Sequence, residues 1–133
     1  MERIFVDTSA WLSYVNRNDA EHRRMKRAFA GCSGRLVTSN FVFDETVTLC
    51  SSRLGHPFAL LVGDTLQDAN TVALVRVSAD DEMRAWALFA ERGEKHYSFT
   101  DCTSLVLMRR LAITTAASLD ADFAREGFAL LPG

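Results

Sequence analysis

Asp7, Glu45, Asp101 and Asp120 are the side chains whose types and positions suit chemistry in this chain of 133 residues. Asp7 follows a short apolar run, Ile4-Phe5-Val6, and Asp120 follows another, Ile113 to Ala117. In α/β sheets, functional groups gather at the carboxyl ends of the strands. Asp is also a good helix N-cap, and both residues precede helical turns, so capping is the competing reading for each. Glu45 has Phe41, Val42 and Leu49 as helical neighbours at i−4, i−3 and i+4, which sets it at the margin of an apolar face. The adjacent Asp44 aligns instead with Asn40, Thr48 and Ser51, a polar stripe facing water. A carboxylate beside buried surface is costly unless paired or bound to a cation, so Glu45 is the functional candidate of the two. Asp101 heads a line with Leu105 and Met108 and points toward packed surface, and its competing role is a capping box with Ser98. Asp80, Asp81 and Glu82 read as an ordinary acidic helix start.

Four carboxylates converging at one sheet edge would repel one another and be driven toward protonation. One or two hard divalent cations remedy this, and an all-oxygen donor set suits Mg²⁺ or Mn²⁺. Zinc is disfavoured, because His22, His56 and His96 are scattered without ligand-spaced partners. Cys32, Cys50 and Cys102 form no CxxC pair and argue against a disulfide framework, and Cys102 beside Asp101 suits helix packing.

The elements that must carry these groups alternate. Strands are expected at Ile4–Val6, Leu36–Thr38, Thr71–Val77, Ile113–Ala117 and Phe128–Leu131. Helices are expected at Ala10–Val15, from Asp19 to the glycines at 31 and 34, at Phe41–Arg53, from Pro57 to about Ala69, at Asp80–Glu91 and from Ser98 through Leu111, with a helical turn at Asp120–Arg125. Ser39-Asn40 offers a cap, Ser78-x-x-Asp81 and Ser98-x-x-Asp101 have the form of capping boxes, and Phe43, Val47, Cys50 and Leu54 make an apolar stripe. Several strands are apolar on both faces, which argues for an α/β fold with a covered parallel sheet.

Composition bounds the rest. At 48% hydrophobic and 24% charged, the chain reads as one globular domain over residues 1–133, and disordered or collagen-like classes are excluded. No apolar run reaches membrane-spanning length and the N-terminus lacks a signal-peptide pattern, so the expectation is a cytoplasmic protein without a membrane partner. The net charge of −2 gives no general attraction to nucleic acid. A local basic run, His22-Arg23-Arg24-Met25-Lys26-Arg27, is either a solvated helix face or a phosphate-binding one.

Taken together, several segments resemble the PIN-domain nucleases, in particular the VapC-type toxins of bacterial toxin–antitoxin pairs. They are Phe5-Val6-Asp7-Thr8-Ser9-Ala10-Trp11, Thr38-Ser39-Asn40 followed by Asp44-Glu45-Thr46, Ser98-Phe99-Thr100-Asp101-Cys102-Thr103-Ser104, Ser118-Leu119-Asp120-Ala121-Asp122-Phe123, and Gly127-Phe128 with a terminal Leu-Pro. They occur in the family's order and span nearly the whole chain. The resemblance implies a five-stranded parallel sheet of order 3-2-1-4-5 flanked by helices, and a ribonuclease site dependent on Mg²⁺ or Mn²⁺. It assigns the acidic quartet to Asp7, Glu45, Asp101 and Asp120, and it decides Asp101 against capping alone. Asp7 and Asp101 would hold the main ion, directly or through water, while Glu45 and Asp120 share it or a second ion and orient the attacking water. Ser9, Thr100 and Asp122 would support them from behind. Arg23, Arg24, Lys26 and Arg27 are candidate RNA contacts, with Arg109 and Arg110 as further ones. A homodimer and a small antitoxin partner are also implied.

A phosphorylated receiver domain has the same size and class, but it would want paired acids after the first strand and a late Lys, and this chain has no Lys after Lys95. A phosphatase of the Asp-x-Asp type fails at Ser9. The remaining alternative is a PIN-like module that binds RNA or protein without cutting.

Overall fold

A computed structural model describes residues 2–133. The chain runs β1 (Arg3–Val6), α1 (Thr8–Val15), α2 (His22–Ala30), β2 (Arg35–Ser39), α3 (Asn40–Leu54), α4 (His56–Gln67), β3 (Ala73–Val75), α5 (Ala79–Glu91), a 3-10 turn (Gly93–Lys95), α6 (Phe99–Leu111), β4 (Thr115–Ala117), α7 (Asp122–Arg125) and β5 (Ala129–Leu131). The strands form a five-stranded sheet of order β3-β2-β1-β4-β5, and every neighbouring pair is parallel. This is the architecture expected from the sequence. Among the described residues, no helix is long and apolar enough to cross a membrane.

β1 is central because it is apolar on both faces. Ile4, Phe5 and Val6 are buried, and the strand pairs with β2 on one side and β4 on the other. Its ladder runs one residue past Val6, since the Asp7 N–H donates to the Ala117 carbonyl at 3.0 Å. On the next strand, the Ser118 N–H likewise donates to the Leu131 carbonyl at 3.0 Å. The carboxyl ends of β1 and β4 are therefore fixed side by side by main-chain bonds, and Asp7 and Ser118 stand at that edge.

Helix starts follow their caps. Ser39 accepts from the Val42 N–H at 3.1 Å, while Asn40 spends its side chain elsewhere, accepting from the Val77 N–H at 2.7 Å and tying the end of β3 to α3. Both capping boxes are present, Ser78 with Asp81 and Ser98 with Asp101. Gly55, at φ +98°, separates α3 from α4 in a conformation that side chains rarely adopt.

Several boundaries differ from expectation for local reasons. α2 begins at His22, because Asp19 forms a turn in which its side chain accepts from the Glu21 N–H at 2.8 Å. The third strand shortens to Ala73–Val75, an edge strand paired only where it meets β2. The turn after β4 becomes helical only at Asp122, so Asp120 lies on a loop, with Ser118 and Leu119 between it and the strand. In α3 the buried line is Val42, Thr46 and Cys50, which shares only Cys50 with the expected stripe. Phe43 and Val47 are half-buried beside Gly63 of α4, and Leu54 is exposed.

Candidate active site

Asp7 is the most enclosed of the candidate acids, only 2% exposed. It occupies the N-cap position of α1, yet its carboxylate makes no cap bond, so the capping alternative fails for the side chain. Only its carbonyl serves the helix, accepting from Ala10 and Trp11. One carboxylate oxygen, Oδ2, accepts from Ser118 Oγ at 3.1 Å and from Ser9 Oγ at 3.4 Å. The other, Oδ1, is buried with no hydrogen-bond partner. Burial first, and then the negative charges of Asp101 and Asp120, push the Asp7 carboxyl up to about 7, against the pull of the Thr8 amide and the Ser118 hydroxyl.

Asp101 begins α6 and does two things at once. Its Oδ2 accepts from the Ser98 N–H at 3.0 Å while its own N–H donates to Ser98 Oγ at 3.0 Å. The half-buried carboxyl also feels the other acids. Its pKa is raised by burial first and by Asp122 and Asp120, opposed by the Ser98 bonds. Capping and facing the acidic edge are both realised. Asp120 is exposed as a residue, and its carboxyl is nonetheless raised, by partial desolvation first and then by Asp122 and Glu45. Glu45 is half-buried on α3 while Asp44 is exposed, as their helical neighbours required. Asp7 thus feels Asp101 and Asp120, and Asp120 feels Glu45, so β1, α3, α6 and the β4–α7 loop are linked electrostatically.

The supporting positions divide. Ser9 bonds Asp7, contacts Ser118 Oγ at 3.2 Å and accepts from the Leu119 N–H at 3.0 Å. Asp122 contributes charge to Asp101 and Asp120, but its carboxylate pairs with Arg125 at 2.6 Å. Thr100 serves through its carbonyl, which accepts from Thr103 Oγ1 at 2.6 Å, and no hydrogen bond among the described residues joins its hydroxyl to the acids. Sequence reasoning passed over Ser118. The signal was its place directly after the fourth strand, beside the residue that follows the first.

The basic candidates also divide. Arg23, Arg24, Lys26 and Arg27 are exposed on α2, with Met25 buried beneath them. Arg24 pairs with Glu21, and α2 leads away toward Gly34, which lies against the Glu2 carbonyl at the opposite edge of the sheet. Arg109 and Arg110 are engaged within the fold. Arg109 donates to Glu126 at 3.0 Å and lies over the Phe128 ring, while Arg110 is bound to the buried Asp81 at 2.8 Å. Sequence order hides both pairings.

Among the described residues, no group of three or more His, Cys, Asp or Glu is gathered so as to hold a metal ion by itself. The chemistry of the edge nevertheless suits a hard divalent cation. Its donors are all oxygens, its carboxyls raise one another's pKa, and Asp7 Oδ1 is a buried acceptor without a donor.

The chain is similar to known proteins in both sequence and fold. The PIN domain family matches residues 4–129. The 23S rRNA-specific endonuclease VapC20 of Mycobacterium tuberculosis (strain ATCC 25618 / H37Rv) is 39% identical over 125 residues, covering 94% of this chain and 95% of that protein. The crystal structure of Mycobacterium tuberculosis VapC20, described as a sarcin-ricin loop cleaving toxin, superposes with a TM-score of 0.90 at 38% identity, covering 95% of this chain and 96% of that one. DNA-bound VapBC from Salmonella typhimurium superposes with a TM-score of 0.70 at 12% identity, covering 98% and 97%, which is a likeness of fold.

Proposed function

The chain belongs to the PIN-domain family, and on that footing we propose that it is a metal-dependent RNA endonuclease of the VapC toxin type that cleaves the sarcin-ricin loop of 23S rRNA. The observation that carries the reading is Asp7, a buried carboxylate with one orphaned oxygen, electrostatically joined to Asp101 and Asp120. The named target rests on 39% identity to an rRNA-specific relative over nearly the full length of both chains.

Asp7 and Asp101 would hold a Mg²⁺ or Mn²⁺ ion, with Glu45 and Asp120 completing the acidic edge. When bound, such an ion lowers the pKa of a water and offsets charge building on the phosphate oxygens. Glu45 and Asp120 orient the attacking water, and one of the two takes the proton it loses. The water oxygen bonds to phosphorus, one ester P–O bond breaks, and the leaving oxygen takes a proton from solvent. Asp7 is held by Ser9 and Ser118 from the side away from its free oxygen, so it is positioned before substrate arrives. Arg23, Arg24, Lys26 and Arg27 act at longer range, steering the phosphate backbone without reading sequence.

A ribosomal substrate puts the enzyme in the cytoplasm. Two surfaces support protein partners. Trp86, Met83 and Phe89 on α5 are exposed, and Trp86 and Phe89 form an aromatic cluster with Phe99 and Phe41, which adjoin the helix starts carrying Asp101 and Glu45. We assign this face to a second copy of the chain, a pairing that sedimentation on dilution resolves. The groove between α1 and α4, about 260 Å³ and lined by Trp11, Tyr14, Phe58 and Leu61, suits the apolar face of an antitoxin segment.

The test is cleavage of intact ribosomes and of naked 23S rRNA, mapped by primer extension, with Mg²⁺, Mn²⁺ or EDTA. Wild type is expected to cut once in the sarcin-ricin loop with metal and not with EDTA. Folded Asp7→Asn is expected to cut roughly a thousandfold more slowly, equivalent to about 4 kcal/mol of barrier. Equal cleavage by both proteins overturns the assignment of the site. RNA binding without cleavage by wild type gives the non-catalytic module instead.

A further inference from the structure

Ser118 follows β4 at 3% exposure, and its backbone is fixed by the bond from its N–H to the Leu131 carbonyl. Its hydroxyl is a junction. It donates to Asp7 Oδ2 at 3.1 Å, accepts from the Asp120 N–H at 3.1 Å, and lies 3.2 Å from Ser9 Oγ. A hydroxyl has one proton and two lone pairs, so these three contacts use it fully. With the Ser118 proton on Asp7, Ser9 shares its one proton between Asp7 Oδ2 at 3.4 Å and Ser118 Oγ at 3.2 Å, and accepts from Leu119. Two successive amides of the β4–α7 loop, Leu119 and Asp120, are thus bound to two hydroxyls that face one carboxylate oxygen.

This arrangement treats the two oxygens of Asp7 differently. Oδ2 is satisfied by hydroxyls, whereas Oδ1 is buried and unpartnered. A carboxylate held by neither serine would be free to turn about its own axis and exchange the two.

We propose that Ser118 is a positioning residue for the acidic edge: its hydroxyl fixes Asp7 so that Oδ1 alone faces the cation, and the same hydroxyl holds the Asp120 loop against Asp7. This rests on the reading of the acidic edge as a divalent-cation site. Ser118 touches neither substrate nor cation, and it acts through Asp7 and Asp120. Ser9 is the weaker partner, because its contact with Asp7 is the longer one at 3.4 Å.

The test is a Mn²⁺ titration of metal-free full-length protein, wild type against Ser118→Ala, Ser118→Thr and Ser9→Ala, with thermal melts of each. Ser118→Ala is expected to melt cooperatively and to bind Mn²⁺ roughly 10- to 100-fold more weakly, the range typical for groups that orient metal ligands. Ser118→Thr, which keeps the hydroxyl, is expected to recover most of the lost affinity, and Ser9→Ala to lose less than Ser118→Ala. If Thr is too large to fold there, Ser118→Cys replaces it as a near-isosteric weak donor, with partial recovery expected. Wild-type Mn²⁺ affinity in a folded Ser118→Ala overturns the proposal and leaves the cation site standing. Equal losses in Ala and in the folded hydroxyl- or thiol-bearing variant also overturn it. Absence of Mn²⁺ binding by wild type removes the cation site and this proposal with it.

Discussion

Asp7 and Asp81 are both buried acids at helix starts, at 2% and 0% exposure, and their surroundings treat them in opposite ways. Asp81 receives the Ser78 amide at 2.9 Å and three contacts of at most 3.1 Å from the Arg110 guanidinium. Burial raises its pKa, but the Arg110 and Ser78 bonds outweigh burial and hold it below the usual Asp value. Asp7 receives hydroxyls on one oxygen, nothing on the other, and faces further carboxylates, so burial prevails and carries it to about 7. Glu126 repeats the Asp81 pattern. Arg92, Arg109 and Tyr97 all donate to it, and it falls to about 2, led by the Arg92 bond. Acids buried for the fold bring their own cations, while among the described residues no Lys or Arg pairs with Asp7, Glu45, Asp101 or Asp120.

The largest test of this contrast is the pH dependence of stability in chelator. Asp7 is raised in the folded state, so the folded protein holds its proton more tightly between about 4 and about 7, and stability is lost as pH rises across that window. Asp7→Asn is expected to remove this loss, stabilising the chelated protein at pH 8 by roughly 4 kcal/mol while slowing cleavage by the factor given above. Calorimetry at pH 5 and pH 8 decides it, and an unchanged difference between the two pH values in the variant breaks the comparison. Asp81 and Glu126 have the opposite sign. Their contribution is present above the ordinary carboxylate pKa and is lost as pH falls through their lowered values.

Next in size, Asp81→Ala removes both a cap and the buried half of an ion pair. Because Arg110 is 37% exposed and can regain water, the cost is at the lower end for such pairs, about 3 kcal/mol, read by urea unfolding. The smallest effect belongs to a paired acid that is not buried. The Glu21–Arg24 pair is 3.4 Å long with both side chains more than 40% exposed, and Arg24→Gln is expected to change stability by less than about 0.5 kcal/mol. A cost equal to that of Asp81→Ala would show that pairing alone, without burial, sets the difference.

Glu45 and Asp44 were separable from sequence because helical periodicity assigns neighbours at i±3 and i±4. Both Ser-x-x-Asp boxes were legible for the same reason, since their bonds close within one turn. What could not be read joins residues far apart in the chain. Arg110 reaches Asp81 across 29 positions, and Ser118 reaches Asp7 across 111. Arg109 and Arg110 looked available for RNA only because their acids lie on other elements. Periodicity also misplaced the buried side of α3. Thr46 is fully buried where Phe43 and Val47 are not, since helices on two sides decide which residues are covered. The acidic quartet itself came from strand ends, a helix face and, for Asp101, the resemblance. Its geometry depends on β4 lying beside β1, which no local signal encodes.

That placement of β4 also orders events in time. β1 is made first, but its neighbour on the site side is the fourth strand, and the register that sets Val6 beside Ala117 spans most of the chain. During synthesis a nascent chain carries Asp7 and Glu45 long before it carries Asp101 and Asp120. Because contacts of such long range form late, the four-acid edge is incomplete until the polypeptide is almost finished. Through most of its own translation the chain therefore lacks two of the four acids of that edge.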